Sequence, residues 1–373
     1  MASLELFEDV VGVAQEDGPN AMCAISYPEE YRKLMDIFRA IMVREEKSSR
    51  VLELTGDILE WNAAHYTVWF YRRRVVDALA EGDDDGKELY RAELEYAANV
   101  AESNPKNYQV WYHRRAMLER LEDVEAAREE LEFIGVMLQG DAKNYHAWSH
   151  RLWVLKSFNC WESELDFCET RIKEDAFNNS AWTHRYNAVT LSASEIPAQR
   201  EVEFAMSVAL QHPGNLRNES PWTYALAFAK MNTQAFTDLM EACDSVLSVE
   251  DDDAASPLEP LDRACARLTK LELLATSQHF DEAATCADIL ATEEDRFRTR
   301  YWTRRSHTLR NKARQQRHEP PLPSLETTKT ASSMPWAPAG LFPFGSPPTM
   351  ETKPSNRPPH PPTPDQLRGE QGL

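Results

Sequence analysis

The stretch Asn107-Tyr108-Gln109-Val110-Trp111-Tyr112-His113-Arg114 decides how this chain folds, because it recurs. Near-copies read His65-Tyr66-Thr67-Val68-Trp69-Phe70-Tyr71-Arg72, Asn144-Tyr145-His146-Ala147-Trp148-Ser149-His150-Arg151, Asn178-Asn179-Ser180-Ala181-Trp182-Thr183-His184-Arg185 and Asn218-Glu219-Ser220-Pro221-Trp222-Thr223-Tyr224. The tryptophans stand 42, 37, 34 and 40 residues apart, and a weaker echo, Tyr301-Trp302-Thr303-Arg304-Arg305, follows 80 residues after the last. A period in this range belongs to a solenoid of supersecondary units.

Within each copy the spacing is helical. The Asn four residues before the Trp sits where a helix starts, and its side chain, or Ser180 and Ser220 two places on, can accept the unpaired N–H groups of the first turn. Pro221 suits the first helical position, where no N–H is needed. Tyr at Trp−3 and Arg at Trp+3 share a face with the Trp. A second amphipathic stretch follows each Trp helix, as at 121–138, where Leu131, Ile134 and Leu138 keep the spacing of a buried stripe, or at 163–172. The units are therefore helix–turn–helix pairs and the fold class is all-α. Residues 29–60 supply one or two leading helices, and 223–314 about two further pairs, with no Trp where one is due near 262. A feature needed in every repeat reads as structure, the Arg being satisfied by a neighbouring carboxylate or carbonyl. Function is expected where the copies differ.

The formal net charge of −20 argues against a nucleic-acid partner, since phosphate binding requires a basic surface. The acidic runs Asp83-Asp84-Asp85 and Asp251-Asp252-Asp253 read as solvated loops. The arginines at 72–74, 114–115 and 304–305 recur with the repeat and leave room for a local basic ridge. Six cysteines show no CxxC and no metal-like spacing with His, so free thiols in a reducing compartment are expected. No apolar run approaches the roughly 18 residues that span a membrane, and no basic-then-apolar leader is present. A cytoplasmic protein is the expectation. Three segments follow: a flexible 1–28, a repeat solenoid over 29–315, and a Pro-rich extension over 316–373 that carries 14 of the 22 prolines. Such composition does not form a packed domain; within it Pro335-Trp336 and Leu341-Phe342-Pro343-Phe344 are apolar patches suited to docking or to a polyproline-reading partner.

The repeats differ most at their helix entrances. Residues 104–111 and 141–148 each set a lysine, Lys106 or Lys143, immediately before the capping Asn. A lysine beside free N–H groups at the positive end of a helix is a reasonable anion site, though such lysines are commonly just solvated. The strings 105–115 (Pro-Lys-Asn-Tyr-Gln-Val-Trp-Tyr-His-Arg-Arg) and 141–151 (Asp-Ala-Lys-Asn-Tyr-His-Ala-Trp-Ser-His-Arg) closely resemble the α-subunit repeats of the protein prenyltransferases. The likeness runs over roughly 30–315 and is nearest to the α subunit shared by protein farnesyltransferase and protein geranylgeranyltransferase type I.

What the resemblance implies is a right-handed superhelical crescent of helical hairpins around a β subunit that holds zinc and most of the isoprenoid pocket. A zinc-bound cysteine thiolate near the C-terminus of a CaaX protein would attack C1 of farnesyl or geranylgeranyl diphosphate, with magnesium accompanying the diphosphate. Carried over position by position, Lys106 would stabilise the leaving diphosphate and Tyr108 would line the active-site face beside it. Gln109 would bond the substrate's C-terminal carboxylate, and Tyr66 would help form the pocket for its last side chain. Asn144, Tyr145 and His146 would belong to the same wall; a helix N-terminal residue bonded to its neighbours is the other reading of His146. This chain departs from the family pattern at His65, an imidazole where Asn is usual and a poorer cap, and at 82–87, which lengthen the first inter-repeat loop. Two alternatives remain open: a Rab-type geranylgeranyltransferase α subunit, and a non-catalytic peptide-binding scaffold of tetratricopeptide kind.

Overall fold

The computed structural model describes residues 2–16, 18, 22–23, 25–81, 86–192, 195–249 and 258–325. The two acidic runs and the apolar patches of the Pro-rich extension lie outside them. Among the described residues there is no strand. The chain begins with a hairpin of α1 (Glu29–Arg44) and α2 (Ser49–Trp61). Five Trp-bearing helices follow: α3 (Tyr66–Ala80), α5 (Tyr108–Leu121), α7 (Tyr145–Phe158), α9 (Asn179–Leu191) and α11 (Glu219–Ala229). They alternate with α4 (Gly86–Ser103), α6 (Val124–Gly140), α8 (Glu164–Glu174), α10 (Ala198–Leu210) and α12 (Thr233–Leu247). The stack closes with α13 (Pro260–Thr276), α14 (Phe280–Ile289) and α15 (Thr299–Gln316).

Each Trp helix packs on the next, α3 on α5, α5 on α7, α7 on α9 and α9 on α11. Between the second helices α6 and α8 lies an open groove of about 690 Å³, lined by Leu131, Val136 and Gly135 of α6 and by Asp166, Phe167 and Thr170 of α8. A single hairpin leaves its apolar face open, so the core runs continuously through the repeats: Ile134 and Leu138 of α6, Trp148 and Leu155 of α7 and Trp182 of α9 lie in one cluster.

Sequence and structure agree on the helix starts. Asn107, Asn144, Asn178 and Asn218 each precede a Trp helix and accept its first free N–H groups, leaving Ser180 and Ser220 as recipients of that cap. Pro221 stands at the third helical position rather than the first, another place where an N–H has no intrahelical partner. Near 262 the due Trp is replaced by a different start: Pro260 opens α13 and Asp262 forms a capping box with Glu259. Ahead of α1, in the segment expected to be loose, Phe7 and Val10 are buried and Arg50 of α2 bonds the Leu6 carbonyl.

Candidate functional site

The conserved face of the repeat is a buried ladder. Arg72, Arg114, Arg151 and Arg185 do not form a surface ridge; each is buried and grips a carboxylate on the following second helix with two nitrogens. The partners are Glu93, Glu130, Glu164 and Glu201, with Nε–oxygen distances of 2.8, 2.8, 2.8 and 2.7 Å. An aromatic ring one turn after each Glu, Tyr96, Phe133, Phe167 or Phe204, lies under the guanidinium at 3.5–4.0 Å. The same carboxylate bonds the next repeat: His113 Nε2 meets Glu93 at 3.0 Å, His150 meets Glu130 at 2.9 Å, His184 meets Glu164 at 2.6 Å, and the Tyr224 hydroxyl donates to Glu201. Each imidazole or phenol also packs on the preceding tryptophan, as His113 does on Trp69 with centroids 4.7 Å apart.

Burial by itself would raise the Glu93 and Glu130 carboxyls, but the Arg and His on each outweigh it and hold both down at about 2. Burial pushes His113 down to about 4, against the pull of Glu93, so it is neutral at pH 7. Glu164, Cys168 and His184 come within 4.8 Å of one another, close enough for metal ligands. They form a rung of the ladder instead. Both Glu164 oxygens are bonded to Arg151, whose charge stands where a cation would, and burial pushes the Cys168 thiol up, away from the thiolate a metal needs.

The helix entrances form a second series along one edge. The Trp indole N–H donates to the carbonyl six residues earlier, Trp69 to Ala63 at 2.8 Å, and Trp111, Trp148 and Trp182 to Pro105, Ala142 and Ala176 at 2.9 Å each. The capping Asn of the next repeat donates its amide N–H to that same carbonyl: Asn107 to Ala63, Asn144 to Pro105 at 3.0 Å, Asn178 to Ala142 at 2.9 Å, and Asn218 to Ala176. At the end of the series the Trp222 indole N–H has no partner among the described residues. His65, the departure at the start, makes no cap bond, its buried Nδ1 has no partner among the described residues, and burial lowers its pKa.

What projects from this edge varies between copies. Tyr66, Tyr108 and Tyr145 at Trp−3 are about two-thirds exposed, whereas repeats four and five have Asn179 and Glu219 there. His146 is half-buried and lies between two of the rings, 4.3 Å edge-on from Tyr108 and 5.7 Å from Tyr145. Burial lowers its pKa. Lys106 is exposed, with its ammonium 3.3 Å from Asp141 of the next repeat. Half-buried Gln109 gives its backbone N–H to Asn107, and its side-chain amide has no partner among the described residues. The rings of Tyr108, His146 and Tyr145 thus meet across repeats two and three, and Lys106 bridges the same two repeats through Asp141. Tyr66 stands one repeat away, its ring tilted 6.3 Å from that of His65. Asn144 is buried, its oxygen accepts from the backbone N–H groups of His146 and Ala147, and its amide N–H donates to the Pro105 carbonyl, so it shapes the entrance that carries Tyr145 and His146.

The carboxylates of the ladder were not singled out from sequence, although a signal exists: Glu-x-x-aromatic recurs at 93/96, 130/133, 164/167 and 201/204. It is obscured because the distance from Arg to Glu varies with the turn between the helices.

These features define a class, the α-helical solenoids whose hairpins are joined by a Trp–Arg grid. The sequence profile of the protein prenyltransferase alpha subunit repeat matches residues 48–79, 90–121, 127–158 and 161–191. These four segments, less than half of the chain, are similar to that family's repeat. The protein farnesyltransferase/geranylgeranyltransferase type-1 subunit alpha of Arabidopsis thaliana is 49% identical over 73 residues, 20% of this chain and 22% of that one. Its counterpart from Dictyostelium discoideum is 42% identical over 77 residues, 21% and 24%. The matched segments thus span under a quarter of these relatives. A solved chain of Candida albicans protein geranylgeranyltransferase-I complexed with GGPP superposes with a TM-score of 0.67 at 25% identity, covering 81% of this chain and 98% of that one. Among the described residues no helix is long and apolar enough to cross a membrane.

Proposed function

We propose that this chain is the α subunit of a heterodimeric, zinc-dependent protein prenyltransferase of the farnesyl/geranylgeranyl type I kind. It would act with a β subunit to join a farnesyl or geranylgeranyl group to a CaaX cysteine, the β partner deciding which isoprenoid is used. The observation that carries the reading is the junction of repeats two and three, where the Tyr108, His146 and Tyr145 rings meet and the exposed Lys106 ammonium bridges the same two repeats through Asp141. The relatives named above and the GGPP-bound solved chain support it.

In this reading zinc held by the β subunit would supply the substrate cysteine as thiolate, and magnesium would accompany the diphosphate. As sulfur bonds to C1, the C1–oxygen bond breaks and negative charge grows on the departing diphosphate. Lys106 is placed to stabilise that charge, a contribution that increases toward the transition state. Tyr108, held edge-on by His146, lines the same face. The unpartnered amide of Gln109 serves the substrate's terminal carboxylate, and Tyr66 borders its last side chain.

The test is co-expression with a farnesyltransferase-type β subunit, followed by size exclusion and prenylation of a fluorescent CaaX peptide. A 1:1 complex that turns over only with both chains is expected. Lys106→Ala should then slow single-turnover chemistry about a hundredfold, as loss of one charge-stabilising donor does. A chain that stays monomeric beside the β subunit, or an equal chemical rate in the variant, overturns the proposal.

A further inference from the structure

Over the first four repeats, the residue just before each capping position and the residue three before the next cap covary within this one chain. Where the first is a lysine, the second is a carboxylate that touches it: Lys106 reaches Asp141 at 3.3 Å and Lys143 reaches Asp175 at 3.1 Å. Arg217, before the last capping Asn, reaches the capping box of α13 instead, at Asp262 and Glu259. Where the first is neutral, Ala64 or Phe177, the second is an amide, Asn104 or Asn215. The loop is built alike in the two lysine cases, since Oδ1 of Asp141 accepts from the Lys143 N–H and Oδ1 of Asp175 from the Phe177 N–H. One oxygen thus shapes the turn and the other is left for the neighbour's cation.

The Lys106 pair bridges the two repeats whose rings meet, since Lys106 precedes Tyr108 by two residues and Asp141 opens the loop to Tyr145 and His146. The Lys106 carbon chain starts next to the Pro105 carbonyl, which Trp111 and Asn144 clamp from two repeats. The backbone is therefore fixed while the ammonium, exposed and bound to a single carboxylate oxygen, is exchangeable. An exposed pair of this kind is worth at most about 1 kcal/mol, so a polyanion displaces it readily.

Resting on the prenyltransferase reading, we infer that Asp141 is a positioning residue for Lys106: it holds the ammonium at the entrance when the site is empty, gives it up to the diphosphate, and takes it back when diphosphate leaves. Asp141 touches neither reacting atoms nor leaving group. It competes with the anion for one cation.

The experiment uses the co-expressed heterodimer and inorganic pyrophosphate as the probe. Asp141→Asn keeps the Oδ1 acceptor of the turn and removes the competing charge. It should tighten pyrophosphate inhibition about three- to fivefold, the size of a surface ion pair. In a Lys106→Ala background the same substitution should change pyrophosphate inhibition by less than about 1.5-fold. Asp175→Asn, which frees Lys143 by the same geometry, serves as the control for general charge removal and should leave it unchanged. An active wild-type complex whose Asp141→Asn variant shows unchanged or weaker inhibition overturns the inference and leaves the enzyme reading standing. Equal tightening by Asp175→Asn, or persistence of the effect without Lys106, also overturns it. If the wild-type complex neither forms nor turns over, the underlying reading fails instead.

Discussion

The ladder and the entrance edge are built on the same five helices, yet they obey opposite rules. Along the ladder all four rungs carry the same solution: Arg on Glu, Glu on the His or Tyr of the next repeat, and that ring on a Trp. Along the edge, one turn away, the side chains at Trp−3 change from Tyr66, Tyr108 and Tyr145 to Asn179 and Glu219. A buried charge without its partner is costly, so no rung can change alone. An exposed side chain has few such obligations, and the edge is free to become a site at one place and plain surface at another.

The sharpest way to break this contrast is to remove one rung. Glu130→Ala leaves Arg114 and His150 buried without their shared carboxylate and should cost roughly 3–5 kcal/mol in a denaturant melt. A loss below about 1 kcal/mol would mean that the ladder is ornament and the apolar core alone holds the repeats together. Lys106→Ala, on the edge, should shift the same melt by less than about 0.5 kcal/mol while disabling chemistry.

Acid should find the ladder next. The His113 imidazole is held at about 4, below its ordinary 6.5, so the unfolded chain takes up a proton first as pH falls through that interval. Glu93 and Glu130, held at about 2 against an ordinary 4.5, continue the trend from 4.5 downward. Both act in the same direction: stability is full at neutral pH and is lost on acidification, by about 3 kcal/mol for His113 between pH 6.5 and 4. Urea melts at pH 7, 5.5 and 4.5 measure this, and a flat profile above pH 5 would contradict a neutral buried His113. The Lys106→Ala protein should show the wild-type profile.

The smallest effect sharpens the contrast from the other side. His65→Asn restores at the first entrance the cap present in the other four, and should stabilise the protein by about 0.5–1 kcal/mol in the same assay. Destabilisation would show that the imidazole has a role in the first repeat that a cap does not replace.

These two regions were unequally legible in the sequence. The Trp grid and the capping Asn could be read directly because the bonds they make are local: a carbonyl six residues back, an N–H two residues on. The second halves of the rungs could not, since Glu93, Glu130, Glu164 and Glu201 lie 21, 16, 13 and 16 residues beyond their arginines and no fixed spacing links them. For the same reason Arg72 and Arg114 could pass for a surface ridge until their partners were seen. At the edge, residue types suggested a site; the structure brings the rings of Tyr108, His146 and Tyr145 together and sets Lys106 on Asp141. Asn144 shows why an amide there is hard to read, because capping and binding call for the same group.

One oxygen per repeat sets where this chain has slack. The carbonyl at Trp−6 accepts from its own indole and from the next repeat's Asn, at an unchanged offset of six residues in Ala63, Pro105, Ala142 and Ala176. All the variation in step, from 34 to 42 residues, falls outside that short span. Loops joining the two helices of a hairpin can therefore lengthen, be cut or accept an inserted tag while the stacking pitch stays the same. A single residue added between the carbonyl and its Trp would instead mistime every repeat that follows.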